Sequence, residues 1–91
     1  VNTLGADAEA IADLFAGRTG VYMAERFATG DWAVLQTGAP VLTTAVVAFD
    51  CRVLEIKAVA SHNVIFGTIE AVRLGPGGPA LVYHDRAYKR V

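Results

Sequence analysis

The densest concentration of chemically capable side chains is Tyr83-His84-Asp85-Arg86-Ala87-Tyr88. Two aromatics this close can stack on a planar ring, and an arginine can meet a phosphate bidentately. The same residues also suit a polar terminal strand with ordinary aromatics, and spacing alone leaves both readings open. His62 falls in Ser61-His62-Asn63, which reads as a turn between two long strands. Turns on rigid scaffolds often present binding groups, but the composition also suits a solvated turn histidine. Arg18 follows the first helix and can reach a phosphate or face solvent. Cys51 alternates with Phe49 and Val53, so it reads as a small buried hydrophobe rather than a nucleophile. His62 and His84 are far apart and lack a third ligand at a zinc spacing. Neither a serine nucleophile elbow, a phosphate-binding P-loop nor a GxGxxG turn is present.

These groups need elements to position them. Val1 to Leu4 has the β-branched look of a strand, and Gly5-Ala6-Asp7 breaks it. Asp7 is expected to cap a helix running through Ala16, with Ile11, Leu14 and Phe15 on one face and Glu9 and Asp13 outside it. Gly17 is expected to end that helix in the left-handed conformation. A shorter helix is expected over Val21 to Ala28, with Met23 and Phe27 one turn apart, stopped by Thr29-Gly30-Asp31. Phe27 and Trp32 read as core, and Gly38-Ala39-Pro40 as a turn.

From Ala45 the period becomes two. Val47, Phe49, Cys51 and Val53 point one way, Asp50 and Arg52 the other. The phase inverts after Val53, which predicts a β-bulge near Val53-Leu54. A strand from Val64 to Leu74 carries apolar residues in both phases and is expected to be buried on both sides. Gly75 to Pro79 is a loop, Leu81-Val82-Tyr83 a short strand, and Tyr88 to Val91 its continuation. The sum is a mostly-β, antiparallel barrel with two helices inserted near the start.

A chain of 91 residues holds one small domain at most. It is 54% hydrophobic with a mean hydropathy of +0.41, so part of its apolar surface is expected to meet a partner subunit, a ligand or more of the same protein. A net charge of −1 offers no basic field for nucleic acid or anionic lipid. A single cysteine excludes an internal disulfide and fits a reducing compartment. Apolar runs such as Ala45 to Phe49 fall far short of a membrane span, and no signal peptide is read. Val1-Asn2-Thr3-Leu4 reads as the end of a strand entered from upstream, so residues 1–91 are expected to be the C-terminal portion of a single domain.

Eight stretches occur in an order that resembles the flavin reductase-like family. They are Val1-Asn2-Thr3-Leu4, Phe15-Ala16-Gly17-Arg18-Thr19-Gly20, Glu25-Arg26-Phe27, Trp32, Gly38-Ala39-Pro40-Val41-Leu42, Phe49-Asp50-Cys51, Ser61-His62 and Val82 to Tyr88. Within that family the pattern most resembles the reductase components of two-component flavin monooxygenases. The reductases serving 4-hydroxyphenylacetate 3-monooxygenase and pyrimidine utilisation are the nearest of these.

The resemblance implies a cytoplasmic, split β-barrel homodimer that binds FMN or FAD and oxidises NADH or NADPH. Reduced flavin then diffuses to a partner monooxygenase. It implies that Asn2 and Thr3 lie beside the flavin. His62, Val82, Tyr83, His84, Asp85 and Arg86 lie where the nicotinamide nucleotide docks, with Tyr88 nearby, and Arg18 is counted with these cofactor-binding residues. Gly5 and Ala8 depart from the pattern, since serine and glutamine are common there. Hydride transfer between stacked rings needs positioning rather than acid–base groups. Two other readings remain: a flavin-binding barrel without nicotinamide turnover, and an inactive structural or dimerisation fragment.

Overall fold

The computed structural model describes all of Val1–Val91 and is built around one long antiparallel hairpin. In chain order its elements are β1 (Asn2–Thr3), α1 (Glu9–Phe15), a 3-10 helix (Met23–Ala28), β2 (Trp32–Ala33) and β3 (Val41–Leu42). Then follow β4 (Val47–Val59), β5 (His62–Leu74), β6 (Leu81–His84) and β7 (Ala87–Arg90). β4 is the central strand, with β1 on one edge and β5 on the other, while β2 pairs with β3 and β6 with β7. All pairings are antiparallel, as expected. The strands group as three separate sheets rather than one closed barrel.

The long hairpin follows from β-branched and aromatic residues repeating along both strands. The predicted bulge is present. Register steps from Val53↔Gly67 to Glu55↔Phe66, which leaves Leu54 without a partner. A second step, from Asp50↔Ala71 to Cys51↔Ile69, leaves Glu70 extra on β5, where the sequence shows no inversion of phase. The extra residues re-aim the strand on either side of them.

Several expectations are corrected. Asp7 does not cap α1; Ala8 takes that position without a side-chain bond, and Asp7 is fully exposed, 3.8 Å from Arg90. Gly17 does end the helix with φ +78°. The second helix is a 3-10 helix, with Met23 exposed and only Phe27 turned toward other aromatics. The turn of the long hairpin is Ala60-Ser61, with φ +52° at Ala60, so His62 is the first residue of β5, opposite Val59. Tyr88 to Val91 does not prolong β6. The chain reverses at Asp85-Arg86, both left-handed, and returns as β7.

The buried residues are few: Leu14 from α1, Val41 and Leu42 from β3, Ala45 in the bend that follows, and Ala48 and Asp50 at the start of β4. Burial of Asp50 reverses the expected facing of β4, where the phase of Val47, Phe49 and Cys51 was read as the inward one. The physical reason is a complete set of donors. One carboxylate oxygen accepts the Gln36 and Thr37 backbone N–H groups at 2.8 and 2.9 Å; the other accepts the Thr37 hydroxyl. The Thr37 side-chain bond, then its backbone bond, hold the carboxyl below the usual carboxylate range despite desolvation. Asn2 closes the same loop, donating to Pro40 O at 3.3 Å and accepting from Leu42 N at 2.9 Å.

β5 is also not buried on both sides: Ile65, Phe66, Ile69, Val72 and Leu74 are exposed. The accessible surface is 6385 Å², against about 5,100 Å² for a compact protein of this mass. The radius of gyration is 14.0 Å, against roughly 12 Å expected. Both exceed the compact values, and ten of the exposed large apolar side chains lie on β4 and β5.

Replacing Asp50 by alanine leaves two backbone donors and a hydroxyl without their acceptor. In the full-length protein, Asp50→Ala is expected to lower Tm at neutral pH by roughly 3–10 °C. Because the folded carboxyl titrates below its unfolded value, its contribution is complete above the ordinary carboxylate range and disappears as pH falls through the depressed value. The Tm gap to wild type therefore narrows on acidification; an unchanged Tm at neutral pH, or a gap that widens toward acid, contradicts this account.

Candidate functional site

The β6–β7 hairpin is seated beside α1 by backbone bonds. Leu81 N donates to Leu4 O at 2.9 Å, Ala6 N to Pro79 O at 2.9 Å, and Gly5 bridges Ala80. Antiparallel register puts Tyr83 opposite Tyr88 and Leu81 opposite Arg90, so these four share one face. That face meets the α1 region. Tyr88 donates its hydroxyl to Asp13 Oδ1 at 2.6 Å; Arg18 Nη1 lies 3.2 Å from the same oxygen, and Arg18 Nη2 donates to the Tyr83 hydroxyl at 3.0 Å. The Tyr83 and Tyr88 rings meet edge-on at 5.1 Å, and the guanidinium carbon lies 5.0 Å from the Tyr83 centroid.

Three of the expected residues, Arg18, Tyr83 and Tyr88, thus come together, although Arg18 is remote in sequence. The residue that joins them, Asp13, has no signal in the sequence beyond its place on the polar side of a helix. Its partner Tyr88 lies 75 positions away, so no local spacing could have found it. The Tyr83 hydrogen bond, then its charge, raise the Arg18 pKa; the Asp13 hydrogen bond, then desolvation, raise that of the Tyr88 phenol. Both directions favour a charged Arg18 and a neutral Tyr88 phenol at neutral pH. Arg18 has used two of its five N–H donors, and its side chain is 48% exposed, so three donors remain for a ligand.

Val82 and His84 lie on the opposite face of the hairpin, with Ala87 and Lys89; Lys89 Nζ is 3.3 Å from His84 Nδ1. Asp85 and Arg86 form the turn, with φ of +51° and +61°. Such angles are unfavourable for arginine, and strain of this kind gathers at functional sites. His62 stands apart, at the far tip of the β4–β5 hairpin, where its Nδ1 meets Ser61 Oγ at 2.9 Å. It makes no hydrogen bond to the Asp13 cluster.

Asn2 braces the loop ahead of β3, whereas the Thr3 hydroxyl makes no hydrogen bond within the chain. Asn2 also lines an apolar pocket of about 300 Å³ with Leu4, Ile11, Phe15, Trp32 and Pro40. Phe15, Phe27 and Trp32 pack mutually at 5.0–5.6 Å. The pocket is at the small end for ligand sites and suits one ring system rather than a whole dinucleotide. A larger cleft of about 510 Å³ runs along Gly5, Ala8, Thr44 and the Pro76–Pro79 loop. Gly5 and Ala8, the two departures from the family pattern, line that cleft, and a Cβ at Gly5 would meet Val46, Thr44 and Pro79 at ordinary van der Waals distances of 3.9–4.0 Å.

The flavin reductase like domain family matches residues 1–91. The FMN reductase (NADH) RutF of Methylorubrum populi is 51% identical over 89 residues, covering 98% of this chain and 43% of that protein. The chain spans about half the length of the curated relatives it matches. A solved Haemophilus somnus structure, provisionally assigned as a flavin reductase, superposes with a TM-score of 0.90 at 35% identity, over 100% of this chain and 57% of that one. The flavin reductase component of a bacterial two-component tryptophan halogenase superposes at 0.86 with 26% identity, over 99% of this chain and 57% of the other.

Proposed function

The chain belongs to the flavin reductase-like family, and we propose that it is the C-terminal portion of an NAD(P)H:flavin oxidoreductase. Its likeness to a relative named for that reaction carries the proposal, and that name favours FMN and NADH over FAD and NADPH. The nicotinamide supplies a hydride and the flavin accepts it, so the protein's task is to bind and stack two rings. The residues fit that task. An apolar pocket beside Asn2 suits a ring, the Thr3 hydroxyl is free to hydrogen-bond flavin, and Arg18 with Tyr83 offers a cation next to an aromatic face. In this reading the nicotinamide nucleotide also meets Val82 and His84 on the hairpin's other face, Asp85 and Arg86 at its turn and His62 at the β4–β5 tip, with Tyr88 nearby. Reduced flavin is released to a separate monooxygenase of the 4-hydroxyphenylacetate 3-monooxygenase type, a partner that the ordered motif set favours. The single cysteine supports a cytoplasmic setting.

The full-length protein is expected to oxidise NADH when FMN or FAD is added. Absence of any flavin-dependent loss of nicotinamide absorbance overturns the proposal.

The uncovered sheet on β4 and β5 supports a homodimer, since obligate interfaces resemble a core cut in half. Sedimentation of the full-length protein at micromolar concentration is expected to give a dimer; a monomer contradicts it.

An imidazole at the hairpin tip can hydrogen-bond a carboxamide or phosphate of the dinucleotide. His62→Ala is expected to lower kcat/KM for NADH by roughly three- to a hundredfold, the loss of about 0.5–3 kcal/mol, with flavin affinity little changed. A variant indistinguishable from wild type on the NADH axis returns His62 to the solvated surface.

A further inference from the structure

Resting on the reductase reading above, we infer that Asp13 is a positioning residue. It fixes Arg18 beside Tyr83 so that the guanidinium receives a phosphate ester of the bound cofactor. Asp13 Oδ1 is the one atom that touches both sides of the cluster, accepting from Tyr88 at 2.6 Å and from Arg18 at 3.2 Å. Arg18 lies in a loop bounded by Gly17 and Gly20, both left-handed, so its own backbone restrains the long side chain little. Held by Asp13 on one nitrogen and Tyr83 on the other, the planar fork loses its rotamer freedom before a ligand arrives.

Two features separate this pair from an ordinary surface salt bridge. The Arg52–Glu70 and Arg90–Asp7 contacts, at 3.5 and 3.8 Å, are single pairs with no further partner. Arg18 instead belongs to a four-membered chain that runs from Tyr88 through Asp13 to Tyr83, and it remains half-exposed. The negative charge of Asp13 is engaged by two donors, and the nearest cation on the same hairpin face, Arg90, lies 3.8 Å from Asp7. A guanidinium with three unused donors matches the oxygens of a phosphate better than it matches an uncharged ring.

The phosphate is either that of FMN or those of the nicotinamide dinucleotide, and binding distinguishes them. Affinities of the full-length protein for NADH, FMN and riboflavin are measured by titration, alongside kcat. Asp13→Ala is expected to weaken one phosphate-bearing cofactor about ten- to a hundredfold, the size of a lost hydrogen bond to a charged group. Riboflavin affinity stays within about twofold and kcat changes far less than affinity. Asp13→Asn, which keeps an acceptor oxygen at the same reach, recovers most of the loss, and Arg18→Lys, which keeps charge without the fork, reproduces it. Loss for FMN but not riboflavin assigns the flavin phosphate; loss for NADH with both flavins unaffected assigns the dinucleotide. Equal loss for all three, or a lowered Tm with every affinity unchanged, overturns the inference. Because titration needs no turnover, a protein that binds these cofactors but never reduces flavin refutes the reductase reading while still testing Asp13.

Discussion

Asp50 is the only buried charged residue, and satisfying it holds the loop ahead of β3 against β4. A carboxylate removed from water is tolerable only when donors surround it, and here they come from one short stretch, Gln36 and Thr37. That requirement pins the loop against β4. Thr37 Oγ1 then accepts from Ala39 N at 3.2 Å, Pro40 turns the chain, and Val41 and Leu42 enter the interior. Asn2 ties the far side of the loop to β1. A polar network thereby fixes the geometry of a core that has few apolar residues of its own.

The site is held by a different kind of contact. Between α1 and the β6–β7 hairpin the side-chain bonds are polar and partly exposed, where water competes and net stabilisation is small. Such contacts govern direction more than stability. The backbone bonds from Leu4 and Ala6 seat the hairpin, and Asp13 then sets where Tyr88 and Arg18 point. The interior at β3 and β4 holds the frame, and the half-open cluster leaves Arg18 exposed to solvent.

The pattern of residues showed some of this and hid the rest for identifiable reasons. The bulge at Val53-Leu54 was legible because a slip of phase exchanges the faces of a strand, and Gly17 because left-handed backbone favours glycine. The two hairpin turns were misplaced because neither Ala60-Ser61 nor Asp85-Arg86 carries the glycine or asparagine that usually marks such a turn. Alternation places Asp50 outward, because it assigns a charge to solvent unless its donors are visible, and these lie 13 and 14 residues upstream. The candidate residues at the C-terminal end were found by type; that Tyr83 and Tyr88 face each other, and that Asp13 links them to Arg18, depends on a tertiary contact with no local signature.

Amide hydrogen exchange of the full-length protein, with and without FMN and NAD⁺, tests the central claim that the α1–hairpin face receives the cofactors. The oxidised pair cannot turn over, so protection reports binding alone. The account predicts ligand-induced protection at Arg18 to Gly20 and at Tyr83 to Arg86, with the Gln36 and Thr37 amides already slow in both states because Asp50 holds them. Protection confined to other segments, with Arg18 to Gly20 and Tyr83 to Arg86 unchanged under saturating cofactor, would contradict it.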